Sequence, residues 1–407
     1  MLAELPMAFI LLGLAAYTVL AGADFGAGFW TFFPGGGGMS QSATRDHARH
    51  AMGPVWEANH VWLIFVLVIC WTAYPIAYAS ITSTLAVPLS IAVIGIVLRG
   101  TSYALRGQLE EAARGQRAVE NVFALSSVLT PFALGAVAGA IAGGRVPVGN
   151  AAGDLVTSWL NPSSVMIGTL AVTTSTYLAA VYLAADARRL GEHGLERDFR
   201  LRGLWSGVAA GALALAGLLV MRTDARAIWS GLTGGAGLAM VVVSAAAGLG
   251  TLVLVWRGRF NPARVSAALA VAAIVAGWAL AQRPYLLPGL TVSEAAAGRS
   301  TLIAVVVTVA IGTVVLVPSL VLLFGLFLHG RLGADAAPGA PTRAVRPNTD
   351  TRSPRLLGAF ALACLAVGAG LMVLSDSGWA HAIGIACLFG FIASSFLLVT
   401  TTPTEEA

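Results

Sequence analysis

The sequence predicts an all-α protein, a polytopic transmembrane helix bundle, and three observations carry that prediction. Charged residues make up 11% of the 407 and apolar residues 57%, whereas ordinary soluble domains carry about 25% charge. The apolar residues gather into windows of about 20, the length that crosses a bilayer as a helix. The chain has no lysine, and its arginines fall mostly into alternate connections between those windows, the asymmetry expected of a membrane protein. This composition excludes a substantial soluble domain. The net charge of +5 is spread over loops, which excludes a nucleic-acid face.

In order, the windows place eleven spans at about 6–32, 55–78, 81–105, 119–143, 162–186, 203–221, 231–256, 264–282, 301–329, 356–375 and 379–401. The first begins directly after Glu4 with no basic segment before it, so it reads as a retained span and not as a signal peptide. Gly35–Gly38 and the Ala-, Pro-, Gly- and Thr-containing stretch Asp335–Asp350 read as connectors. The second connector divides the chain into a domain at 1–330, a linker at 331–355 and a C-terminal helix pair at 356–407. Eight of the first nine spans can form two four-helix bundles with the ninth alongside. Gly22, Ala23, Gly26 and Ala27 have the spacing that lets helix backbones approach closely.

Orientation follows from arginine. Arg145, Arg222, Arg226, Arg283 and Arg299 stand in loops after even-numbered spans and Arg99 lies inside a span, while the rest of the 24 stand in loops after odd-numbered spans. This puts the N-terminus outside and the C-terminus in the cytoplasm. Asp24 then lies about 27 Å along the first span and Arg99 about 27 Å along the third. Glu57 opens the second span, with His60 three residues on along the same face, and Glu120 opens the fourth. Asp24, Glu57, Arg99 and Glu120 are therefore expected at one level near the cytoplasmic interface. Ionisable residues in a span are costly and are functional suspects. The cluster reads as a structural ion-pair set fixing bundle register, or as the intake of a proton path whose carboxylates pass protons inward.

The remaining motifs are weaker. Glu57-x-x-His60 resembles half of a di-iron site, but no second copy lies in a span, as that site would require, so no metal site is expected. His60, His329 and His381 are each better read as hydrogen-bonded residues than as haem ligands. Cys70, Cys364 and Cys387 lack the spacing of disulfides or covalent haem attachment. Trp56 reads first as an interface anchor and second as lining of a gas or quinone path. Trp62, deeper, reads as an anchor or as lining of a gas or quinone path beside Asn59 and His60. No nucleotide-binding or hydrolase motif is present.

Three stretches carry a resemblance to a known family: GADFGAGFW at Gly22–Trp30; GPVWEANHVWLIFVLVICWTAYP running on to GIVLRGTSYALRG, Gly53–Gly107; and GWALAQRPYLLPGLTVSEAAA at Gly277–Ala297. In these the sequence resembles subunit II of the cytochrome bd-type quinol oxidases, including the cyanide-insensitive branch. The resemblance implies nine transmembrane helices in two four-helix bundles plus one, paired as a heterodimer with a subunit I in the bacterial plasma membrane. It implies that subunit I holds the b-type haems, a d-type or further b-type haem and the quinol site, and that this chain ligates no haem. The chain would then stabilise the haem subunit and shape proton and dioxygen routes, with quinol and dioxygen as substrates of the complex. A bound quinone or lipid and a small accessory subunit are compatible with it. Asp24, Trp56, Glu57, Arg99 and Glu120 match family positions, and Trp62 falls where some members begin a gas passage. Where some members carry a further acid shortly before the aspartate, this chain has Ala21. Residues 331–407 lie beyond the family pattern. Two other readings stay open: a stand-alone proton-coupled transporter and a purely structural membrane scaffold.

Overall fold

The computed structural model describes residues 2–33, 45, 47–48, 55–105, 113–328, 354–374 and 377–401. The helices are α1 (Leu5–Trp30), α2 (Val55–Ala73), α3 (Pro75–Thr84), α4 (Ala86–Leu105), α5 (Ala113–Ala142), α6 (Pro162–Arg189), α7 (His193–Asp224), α8 (Arg226–Leu232), α9 (Gly235–Trp256), α10 (Phe260–Gln282), α11 (Arg299–Leu328), α12 (Pro354–Leu374) and α13 (Gly378–Thr401). Among the described residues, α1, α5, α6, α7, α9 and α10 are long and apolar enough to cross a membrane unaided. The all-α transmembrane architecture read from the sequence holds. The chain divides into two compact units, Met1–Val321 and Leu322–Ala407. The expected linker lies outside the described residues as far as residue 353.

In the first unit α1, α2, α4 and α5 form one group, and α6, α7, α9 and α10 form a second. The two groups meet where α1 and α5 pack on α6, with α10 also reaching α1. The residue types explain why α6 is central. Its run of Gly, Ala, Ser and Thr gives it a narrow profile on which neighbours can sit closely, and Leu178, Ala179, Ala180, Val181, Leu183 and Ala184 are fully buried. Asn161 caps it by accepting from the Ser164 N–H at 3.0 Å, and Pro162 opens its first turn. A Cβ on Gly26 would collide with the Ser175 carbonyl oxygen of α6, and one on Gly22 would lie 3.1 Å from Leu178. The small residues of α1 therefore act as the close-packing face that their spacing implied.

The second span differs from its expected straight run over 55–78. The chain turns by 120° between α2 and α3, because Pro75 cannot donate to the helix ladder and drives the residue before it out of helical geometry. Tyr74 sits at φ −135° and ψ 60°. Two distant segments hydrogen-bond to the bend. The Ala297 N–H donates to the Ala73 carbonyl at 2.8 Å, and the Tyr74 hydroxyl donates to the Ala3 carbonyl at 2.6 Å. Removing that fully buried hydroxyl in Tyr74→Phe is expected to cost about 1–2 kcal/mol, measured as a lower melting temperature in detergent.

The same end of the unit carries a short antiparallel hairpin of β1 (Tyr285–Leu287) and β2 (Leu290–Thr291). Gly289 takes φ +74° in its turn, a backbone region that favours glycine. A single helical turn follows, closed by a reciprocal cap between Thr291 and Glu294. Leu287 and Leu290 pack with Ile69, Tyr74, Leu85, Val146 and Leu302, so the hairpin plugs this end of the first group. In the second unit α12 and α13 pack as a helical hairpin, with Gly368 3.1 Å from the Gly384 carbonyl once a Cβ is considered there.

Candidate functional site

The centre of the first helix group is a buried ion pair. Arg99 on α4 is 1% exposed and Asp24 on α1 is 2% exposed. The Arg99 Nη2 donates to Asp24 Oδ1 at 2.6 Å and to the Asp24 carbonyl at 2.8 Å, while Nε donates to Oδ2 at 3.2 Å. Nη1 donates to the Ser127 hydroxyl on α5, and that hydroxyl in turn donates to the Phe123 carbonyl at 2.6 Å. The Phe123 and Phe25 rings flank the guanidinium at 4.2 and 5.0 Å from their centroids, a favourable cation–π setting. Three helices are thus tied through one side chain.

Local sequence makes this geometry accessible. A Cβ on Gly28 would strike Ser127 Oγ and lie 2.8 Å from Arg99 Nη1, so glycine there admits the arginine and serine. Gly95, one turn before Arg99, leaves room in the same way for Thr130. Both Asp24 oxygens are engaged by a fork-shaped guanidinium, the strongest common form of carboxylate pairing. Its desolvation is tolerable only because every partner stays in place.

The single level expected for the acids resolves into two. Glu120 accepts from Arg45 Nη1 at 2.7 Å, and Arg45 Nε donates to the Thr31 carbonyl at 3.2 Å. Glu120 stands seven residues before Ser127 on α5, and Thr31 seven after Asp24 on α1. Both offsets equal about 10 Å at 1.5 Å per residue. The Arg45–Glu120 pair therefore lies two helical turns nearer the chain ends of α1 and α5 than the buried pair. It is also wetter, with the side chains 25% and 14% exposed. Placing acids by counting from span starts missed this, because it ignored how far α5 extends beyond its apolar window.

The other sequence candidates sort as follows. The side chains of Trp56 and Glu57 lie outside the described residues, although α2 runs through both. Asn59 is 1% exposed, and its Nδ2 donates to the Leu20 carbonyl at 3.4 Å, one turn above Asp24 on α1. His60 is half-buried and within electrostatic range of Asp24 and Arg99. Trp62 packs against Tyr17, Ala21 and Phe25, in the seam between α1 and α2. His329 and the side chain of His381 lie outside the described residues. Among the described residues no three His, Cys, Asp or Glu side chains cluster as metal ligands.

Sequence reasoning missed Ser127, Arg45 and the phenylalanine shelf. The Ser126-Ser127 pair inside an apolar run was a usable signal, whereas Arg45 was counted only as a loop charge. It also missed a second set of charges at the same end of the other helix group. There Arg202 pairs with Asp198 at 2.9 Å and lies over Trp30 at 5.0 Å. Trp30 Nε1 donates to the Thr176 carbonyl at 2.9 Å.

The family profile described as cytochrome bd terminal oxidase subunit II matches residues 2–327. The chain belongs to that family. It is 30% identical over 116 residues to cytochrome bd ubiquinol oxidase subunit 2 of Bacillus subtilis, a match covering 28% of this chain and 33% of that protein. It is 22% identical over 218 residues to the putative cytochrome bd menaquinol oxidase subunit II of the same organism, covering 53% of this chain and 61% of that protein. These matches thus span about a third and about three fifths of the two relatives. The structure of bd oxidase from Geobacillus thermodenitrificans contains a chain that superposes with a TM-score of 0.66 at 26% identity, covering 81% of this chain and 99% of that one. Family membership and the apolar helices make this a multi-pass membrane protein. The buried pair, the Arg45–Glu120 pair and the bend at Tyr74 all lie within the family region.

Proposed function

We propose that the chain is the subunit II of a bd-type quinol:dioxygen oxidoreductase, a terminal oxidase of aerobic respiration in a bacterial plasma membrane. In this reading it forms a heterodimer with a subunit I that holds the haems and the quinol site, and it ligates no haem itself. Its helices stabilise that partner and form the cytoplasmic end of a proton path, with Trp62 near a dioxygen path. The N-terminus lies outside and the C-terminus in the cytoplasm. The observation that carries the reading is the buried Asp24–Arg99–Ser127 junction inside a chain whose family profile runs from residue 2 to 327. Co-expression with its neighbouring genes tests it. A membrane complex containing this chain and a haem protein with bd-like absorption is the expected product, and a chain that never associates with haem protein overturns the reading.

Within the proton path the two carboxylate levels take different roles. Asp24 gives both oxygens and its carbonyl to one guanidinium, which suits an anchor that sets the position of α4 against α1. Glu120, partly exposed and paired with Arg45, suits a group that exchanges protons with the cytoplasm, and Glu57 on α2 is its expected companion. Glu120→Gln and Glu57→Gln are expected to slow oxygen consumption by about tenfold or more, within the range general acid–base groups contribute. The partner's haem content would stay unchanged. Unaltered turnover and proton release in both variants would leave the structural-scaffold reading in place.

A stand-alone transporter is the weaker alternative. Such proteins place ionisable groups at broken helices near the bilayer midplane. The described break, at Tyr74, is about 21 Å along the helix from His60, and it is filled by Ala3 and Ala297. Substrate uptake by the isolated chain in liposomes would favour it.

A further inference from the structure

In the second helix group, short connections at 190–192 and 257–259 join α6 to α7 and α9 to α10, and both emerge at one end of the group. The stretches Asp186–Arg202 and Arg257–Arg264 at that end carry eight arginines against four acids. Three of the acids are engaged within the chain. Asp186 pairs with Arg189 at 2.7 Å, Asp198 pairs with Arg202 at 2.9 Å, and Glu196 lies 3.8 Å from Arg188. The fourth, Glu192, is exposed. Arg197 and Arg257 are also exposed, and among the described residues neither meets an acid.

These two arginines stand at the mouth of an apolar groove. Helices α7 and α9 run antiparallel, and two contacts fix their seam. Arg200 donates to the Trp256 carbonyl, and a Cβ on Gly207 would lie 2.7 Å from Leu252 Cδ2. Gly203 and Ser206 of α7, with Thr251 and Val255 of α9, are buried on the inner side of that seam. Successive residues turn by about 100° around a helix. The outer side therefore carries Leu201, Trp205 and Val208 on α7 and Leu249, Val253 and Trp256 on α9, all of them exposed. Because the helices are antiparallel, the two stripes fall on the same side and border one groove. Trp205 and Trp256 are 74% and 64% exposed, as suits rings near a membrane interface. Arg197 continues the Leu201 stripe by one turn, Arg200 sits in the seam and Arg257 follows Trp256. An arginine excess anywhere at this end would satisfy the orientation rule. Its placement around the mouth of an apolar groove is a further property.

We infer that this groove is the docking surface for an anionic phospholipid such as phosphatidylglycerol. The phosphodiester meets Arg197, Arg200 and Arg257, and the acyl chains lie along the groove against Trp205 and Val253. Charge complementarity selects the occupant, since basic pockets between membrane helices attract anionic headgroups. A zwitterionic lipid brings as much positive as negative charge to the same arginines. An apolar partner helix would leave Arg197 and Arg257 without counter-ions.

The test uses the protein purified from its own membranes in mild detergent, together with the polypeptides that accompany it. It is supplied with equal amounts of phosphatidylglycerol and phosphatidylethanolamine, or with inorganic phosphate alone, and examined by native mass spectrometry. Wild type is expected to retain phosphatidylglycerol over the other two. The double variant Arg197→Gln with Arg257→Gln is expected to lower that retention about twentyfold, from roughly fivefold for each arginine near an anionic lipid. Arg222→Gln with Arg226→Gln removes the same charge at the far end of α7 and should stay within about twofold of wild type. A photocrosslinking residue in place of Trp205, activated in membranes, should capture lipid. Equal losses in the two double variants would tie retention to net charge and overturn the inference. So would unchanged retention in the first double variant, no preference for the anionic lipid, equal binding of inorganic phosphate, or capture of a polypeptide at position 205. Because the readout is bound lipid, the result is independent of whether the chain serves an oxidase.

Discussion

Replacing Arg99 with Met is expected to leave the Asp24 carboxylate buried without its counter-ion and to destabilise the protein by about 3–5 kcal/mol. The chain should then accumulate poorly, and what survives should melt at a lower temperature in detergent. Asp24 is buried, at 2% exposure. Its alternatives are to take up a proton or to pull the α1–α4 contact apart. The double variant Asp24→Asn with Arg99→Met removes both charges, so it should be more stable than Arg99→Met alone. That recovery separates a charge left stranded from a simple loss of packing. If Arg99→Met melts like wild type, the junction does not hold the first helix group together. If the double variant recovers stability yet turnover stays low, the pair serves proton transfer as well as assembly.

Gly26→Val is the second large effect. A Cβ at Gly26 meets the Ser175 backbone carbonyl of α6 and also lies 2.8 Å from the Ala179 Cβ. No side-chain rotation relieves a clash with backbone, so α1 and α6 must separate. The expected loss exceeds about 4 kcal/mol, a size reached only by a short set of mechanisms that includes overpacking of a core. Folded chain recovered from membranes should fall by more than about tenfold. Gly248→Ala on α9 is the control, since nothing lies within 4 Å of a Cβ there, and helix propensity alone favours alanine by roughly 1 kcal/mol. Equal recovery of Gly26→Val and wild type would show that the α1–α6 crossing tolerates separation.

These two residues show what could be read in advance and what could not. The Gly22 and Gly26 spacing announced a close helix contact, because only residues without bulk allow it, but nothing in the spacing named α6 as the partner. Likewise, the cost of charge in hydrocarbon singled out Asp24 and Arg99 as a group. That Ser127 completes the fork, with Phe25 and Phe123 around it, depends on where α5 lies beside α4. Glu120 was grouped with them because its distance was counted from the start of an apolar window. The helix in fact begins at Ala113, and its register against α1 sets Glu120 two turns away, opposite Arg45.

The amino-acid sequence by itself determined the all-α transmembrane class of this protein, through its family region and its lack of charge, because burying about 20 residues in lipid admits few apart from apolar ones. The bend before Pro75, which the apolar window ran straight through, also has a local cause, since proline acts within its own turn of chain. Only the tertiary structure decided which arginine meets which acid and which distant segment satisfies the Ala73 carbonyl at the bend. Those outcomes join residues tens or hundreds of positions apart. Side-chain reach is a few ångströms, so they are fixed by helix register and crossing, which no local pattern encodes.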